Sequence, residues 1–190
     1  MEKSFPATQR PKGPTPERSG SKGPAKRNSS LQSLFLNELR DLYSAEKQQL
    51  LTIPAMKRSA SSLKLQNVLA THLDCTGEQV DRLEQVFKKM GQKPQSRDSE
   101  VILSMTRIWE AAVAGTDEGT ACRDAGLILA AQKLEHYEIC TYGSLAQLAR
   151  TLEQDEVADL LEMSLLEEKE ADDLLTSLAE NYINPEASRE

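Results

Sequence analysis

The chain has 190 residues, 38% hydrophobic and only 4% aromatic, with a net charge of −7. That length suits one domain with a sizeable core, and the negative balance excludes a protein whose whole surface coats nucleic acid or an anionic membrane. No apolar run approaches the roughly 20 residues of a membrane span, and the N-terminus lacks the apolar stretch of a secretory signal.

Residues 1–30 differ from the rest. They hold five of the eight prolines, and seven basic against two acidic residues give them +5, leaving −12 for the remainder. Such a segment buries too little apolar surface to offset its ordering entropy. It is expected to be a disordered basic tail, a solubilising extension first and a weak tether for nucleic acid second.

From Ser30 the pattern is helical. Ser29 or Ser30 can cap a first helix over about 31–57, with Pro54 expected to kink or end it. A second runs over about 61–90 and closes at Gly91. A shorter helix spans about Ser99 to Ala114. A fourth runs from about Thr120 to Leu152, and a fifth from about Asp155 to Tyr182, where Asn184-Pro185 ends it. The first two and the last two have short connections, so each pair reads as an antiparallel hairpin. The stretch from Gly91 to Gly119 is long enough to cross the bundle. The expected fold is all-α: a ferritin-like four-helix bundle over 31–183, with an additional short helix in the crossover and a C-terminal tail at 184–190.

Each long helix carries a polar side chain in the middle of an apolar stripe. Residues seven apart on a helix lie nearly in line. Leu39, Glu46 and Ile53 form one such line, and Leu65, His72, Gln79 and Val86 a second. Ala131, Glu138 and Leu145 form a third, with Glu135 and Tyr142 beside it. Leu161, Glu168 and Leu175 form a fourth. Glu46, His72, Glu135, Glu138 and Glu168 all fall near the midpoints of their helices, so a bundle brings them to one height. A carboxylate facing a core is costly unless paired, protonated or metal-bound, and this donor set suits iron or manganese. Asp172, four residues after Glu168, is a marginal sixth candidate.

The plainer readings stand beside this one. A lone core histidine is usually hydrogen-bonded, here with Glu46 or Glu138 as candidate partners. The run from Glu167 to Asp173 reads mainly as a solvated face. Tyr43, Tyr137 and Tyr142 flank the site, with core packing and a satisfied hydroxyl as the simpler role. The usual dinuclear pattern has two Glu-x-x-His motifs, and this chain has none. His136 sits about 100° around its helix from Glu135 and reads as exposed or outside the ligand set. Cys75, Cys122 and Cys140 form no close pair, which fits a reducing cytoplasm. Cys75 and Cys140 are expected to be buried, inert thiols.

The stretches ELRDLYSAEKQQL (38–50), HLDCTGEQVDRLEQVF (72–87), RDAGLILAAQKLEHYEICTYGSL (123–145) and LLEEKEADDLL (165–175) resemble the YciE/YciF family of bacterial stress-response proteins. The resemblance covers about residues 31–182. It implies a ferritin-like fold, a cytoplasmic protein, a homodimer and a link to stress responses, with no defined activity. The family's AEKQ glutamate falls on Glu46 and its histidine on His72. The EHYE glutamates fall on Glu135 and Glu138, with His136 between them. The EEK-x-x-D motif falls on Glu167, Glu168, Lys169 and Asp172. Where the family shows HLEET, this chain reads His72-Leu73-Asp74-Cys75-Thr76, so a thiol replaces a carboxylate. Two functions follow as expectations: an iron or manganese protein for peroxide or iron handling, or a metal-free dimeric scaffold acting through protein partners.

Overall fold

The computed structural model describes residues 29–97 and 100–190, the side chain of Ile102 excepted; the basic tail lies outside the described residues up to position 28. The helices are α1 (Ser30–Ser59), α2 (Leu63–Lys89), α3 (Glu100–Ala114), α4 (Ala121–Thr151) and α5 (Asp155–Leu178). A wide π-helical turn, Ala179–Ile183, and a short α6 (Asn184–Ala187) follow. No helix among the described residues is long and apolar enough to cross a membrane.

Local chemistry sets most of the ends. The Ser29 hydroxyl accepts from the Gln32 amide at 3.1 Å, and the Thr120 hydroxyl accepts from Arg123 at 3.2 Å. Each satisfies one of the free amides of a first turn. Gly91 takes φ +67°. There α2 closes with bonds from Gly91 to the Lys88 carbonyl and from Gln92 to Phe87, at 3.0 and 2.9 Å, the pattern that glycine favours after a helix. The end of α4 uses the same closure with Glu153 in the left-handed position, at φ 58°.

Two expected stops are overridden. α1 runs through Pro54 to Ser59, because Ile53 and Met56 on either side are buried in the core. That packing outweighs the hydrogen bond a mid-helix proline removes. The chain likewise continues through Asn184-Pro185, where the wide turn and α6 absorb the missing amide. The final residues are tied down: the Glu190 carboxylate accepts from the amides of Ala121 and Cys122 at 2.7 and 3.0 Å. The segment 184–190 therefore caps α4 and is no loose tail.

Two apolar lobes define the topology. One gathers the start of α1 (Phe35, Leu39), the end of α2 (Leu83, Phe87), the end of α4 (Leu145, Ala149) and the start of α5 (Val157, Leu161). The other gathers the opposite ends of the same helices, with Ile53, Leu65, Leu127 and Leu175. Thus α1 and α5 run one way and α2 and α4 the other. The link between α2 and α4 must travel the length of the bundle, and it carries α3. This is the expected ferritin-like bundle with its crossover helix. α3 lies on α4 and α1, packing Ile108, Trp109 and Val113 against the second lobe. Gly126 permits the close approach, since a Cβ there would stand 3.3 Å from that of Ala112.

Between the lobes lies a buried polar layer. One more buried acid, Asp124, belongs to the frame: its two oxygens accept from Ser61 and Ser62 at 2.7 Å each, joining α4 to the turn between α1 and α2. Cys140 is exposed, contrary to the sequence expectation. It lies two residues from both Glu138 and Tyr142, and both of those face inward.

Glu153→Gly should raise stability by about 0.5–1 kcal/mol, because a left-handed backbone strains any residue with a Cβ. Urea denaturation checks this, with an unchanged or lower midpoint as the contrary result.

Candidate metal centre

The polar layer draws one or more side chains from each long helix. Glu46 and Gln49 come from α1, His72, Thr76 and Gln79 from α2, Glu135 and Glu138 from α4, and Ser164 and Glu168 from α5. All are buried. Glu135 and Glu138 share a face because they are three apart, and Tyr142 follows one turn on. Five of the six candidate ligands meet. His72, Glu135 and Glu168 offer ligand atoms within 4.8 Å of one another, and so do Glu46, Glu138 and Glu168. Glu168 belongs to both groups. Asp172 belongs to neither: it is half-buried, accepts from Gln132 at 3.2 Å, and stands 3.7 Å from the largely exposed His136.

The hydrogen bonds leave this layer short of donors. Tyr142 donates to Glu46 Oε1 at 2.6 Å, and Gln49 donates to Glu138 Oε1. His72 Nε2 faces Glu135 Oε1 at 3.3 Å and Gln49 Oε1 at 3.2 Å, so its partners are not the expected Glu46 or Glu138. Within the layer five buried carboxylate oxygens have no hydrogen-bond partner among the described residues: Glu46 Oε2, Glu135 Oε2, Glu138 Oε2 and both oxygens of Glu168. Asp124, equally buried, is fully satisfied.

Electrostatics follows from that shortage. Burial, then the neighbouring Glu168 carboxylate, pushes Glu46 well above the usual glutamate range. Burial and then Glu168 raise Glu135; burial and then Glu46 raise Glu138. Burial lowers His72, with Glu168 opposing. Tyr142 is raised by burial and by the charge of Glu46. The donor set fits hard divalent cations. Orphaned carboxylate oxygens and one imidazole are what iron or manganese takes, and two such ions match the charge of four carboxylates.

A family model described as a domain of unknown function, DUF892, matches residues 30–188. The chain belongs to this family. Protein YciF of Escherichia coli (strain K12) is 39% identical over 160 residues, spanning 83% of this chain and 95% of YciF. The crystal structure of the E. coli stress protein YciF matches with a TM-score of 0.78 at 36% identity, covering 83% of this chain and 99% of that one. The structure of YcfI from Rhodopseudomonas palustris matches with a TM-score of 0.76 at 35% identity, covering 78% and 94%. A protein from Xanthomonas campestris, at 20% identity and a TM-score of 0.66, shares the fold.

Beside the DUF892 polar layer stands an ion pair that sequence reasoning missed. Arg82 is buried and donates to both oxygens of Glu167, at 2.8 and 2.9 Å, and to Ser164 at 2.7 Å. Glu167 also accepts from Gln79 at 3.1 Å and from the Cys75 thiol at 3.5 Å. Arg82 lies three residues past Gln79 on α2, which was the available signal. Gln49, three residues past Glu46, was also missed, although the same spacing places it on the inward face. Cys75 is half-buried and outside both candidate groups. Burial and the Glu167 charge push its thiol up to about 12. Tyr43 turns away from the layer and donates to Glu84 at 2.7 Å.

The metal-depleted protein should lose stability as pH rises. Three glutamates hold protons in the fold that the unfolded chain releases near its ordinary glutamate values, so their contribution is complete at acid pH and is lost as pH climbs toward the folded values. His72 works in the opposite sense and is outnumbered. Melting temperature in chelator should therefore fall as pH rises through and above the ordinary glutamate range. Each glutamate that is protonated in the fold and ionised in the unfolded chain removes about 1.4 kcal/mol for every pH step of one. A flat or rising profile would contradict the buried-acid account.

Proposed function

We propose that the chain is a ferritin-like bacterial stress-response protein whose bundle holds two iron or manganese ions between its apolar lobes. The reading rests on one observation: five buried carboxylate oxygens in two overlapping groups have no hydrogen-bond donor among the described residues. Glu46 and Glu138 would hold one ion, His72 and Glu135 the other, and Glu168 both. Iron or manganese, when bound, supplies electron exchange with peroxide or in iron handling. The chain's own part is to exclude water with the two lobes, to fix Glu46 through the Tyr142 hydroxyl, and to hold Glu138 through the Gln49 amide. The description of YciF as a stress protein supports the physiological part of the reading. A cytoplasmic homodimer is the matching cellular form.

A metal-free scaffold would have to keep these acids protonated at neutral pH, or carry unpaired charge in a dry core at a cost of several kcal/mol per ion. Elemental analysis of protein purified without chelator separates the two readings. About two ions per chain are expected. Glu168→Gln should lose both, and Glu46→Gln should lose one. Saturating metal at about 100 times its dissociation constant should stabilise the wild type by about 2.7 kcal/mol. Protein that remains free of metal after incubation with ferrous or manganous salt would establish the scaffold.

A further inference from the structure

Two cavities flank the polar layer among the described residues. One, beneath α3, measures about 20 Å³ and reaches Gln49; it has room for about one water. The other is a cleft of about 130 Å³ between α2 and α5. Its lining has the same spacing on both helices: Val68, Thr71, His72 and Cys75 on one, Glu167, Glu170, Ala171 and Leu174 on the other. His72 is the one fully buried member, so it forms the deep end.

We propose that this cleft is the route by which a neutral molecule of a few heavy atoms, of the dioxygen and hydrogen peroxide class, reaches the His72 side of the metal centre. Thr71 and Ala171 line it from opposite helices. The proposal rests on the metal reading above.

Three features of the cleft select that class. First, the volume admits several water-sized molecules and falls well below the roughly 300 Å³ at which pockets hold drug-sized ligands. Second, Val68, Ala171 and Leu174 give the cleft an apolar side, and past the rim carboxylate of Glu170 a cation leaving water would find few free oxygens to replace its hydration. Third, of the two carboxylates that line the cleft, the inner one is already engaged. Glu167 accepts from two Arg82 nitrogens, from Gln79 and from Cys75, so its charge is matched by Arg82 and both its oxygens are engaged. Glu170 stands exposed at the rim. Dioxygen crosses such a passage without losing strong hydration, and hydrogen peroxide, though it hydrogen-bonds to water, carries no charge to desolvate.

The test uses the full chain, first in chelator, with pressurised dissolved dioxygen as a paramagnetic probe in nuclear magnetic resonance. Enhanced relaxation is expected at the methyls of Val68 and Leu174 and at the ring of His72. Ala171→Phe should reduce the effect at His72 several-fold and leave the exposed Leu51 methyls unchanged. Thr71→Phe, at an exposed position, provides the same block should the first variant not fold. In the iron-loaded protein both variants should slow oxidation of bound ferrous ion several-fold with metal content unchanged. Dioxygen and hydrogen peroxide, added separately, show which of the two uses the route. A His72 ring relaxed no more than the fully buried Leu39, or unaffected by both substitutions, overturns the route. Dioxygen reaching His72 in a protein that binds no metal upholds the cleft and removes the metal reading.

Discussion

Four glutamates from three helices are buried between two apolar lobes, and the protein supplies too few donors to satisfy them. Every other feature of the interior is arranged around that layer. A carboxylate taken out of water costs several kcal/mol unless something replaces its hydration. Asp124 shows the ordinary solution, with two backbone amides for two oxygens. Glu46 and Glu138 each have one donor for two oxygens, and Glu168 has only the carboxyl of Glu135, when protonated, to donate to it. A fold under selection for stability alone would place an apolar side chain there, as it does two turns away at Leu39, Ile53, Leu161 and Leu175. The deficit is the physical reason for reading the layer as a cation site.

The neighbours of the layer divide its charge into two compartments. Arg82 is the buried cation nearest to the acids, yet both its terminal nitrogens are committed to Glu167 on the side facing the cleft. It therefore neutralises the wall of the cleft, and its charge offsets only part of the push that burial and Glu168 exert on Glu46. Gln49 spans the two ligand groups, donating to Glu138 and facing His72. Tyr142 holds one oxygen of Glu46 and leaves the other free. Each of these contacts fixes the direction of a carboxylate without saturating it.

Cys75 stands three residues past His72 on α2. In this chain its thiol donates to Glu167 and stays protonated, so it serves the Arg82 network and adds no ligand to either group. The layer's four glutamates equal the carboxylates of the usual dinuclear set of four carboxylates and two histidines, and it has one histidine fewer. One imidazole and four glutamates still match two divalent ions in charge.

The sequence by itself determined the all-α bundle, the helix pairing and the depth at which Glu46, His72, Glu135, Glu138 and Glu168 meet. Helical periodicity and helix midpoints are local properties, so one chain written out suffices to read them. Tertiary structure decided what depends on rotation and on neighbours across the bundle. Pro54 and Pro185 read as stops because proline removes an amide, but packing on both sides of Pro54 and a wide turn before Pro185 keep the chain helical. Asp172 reads as a marginal ligand from its spacing. Its actual rotation turns it toward Gln132 and His136. Arg82 and Glu167 look like surface charges in the sequence, and only the contact of α2 with α5 reveals that each is the other's partner. Periodicity tells which face is inward, but which inward groups touch depends on how the helices are set against one another.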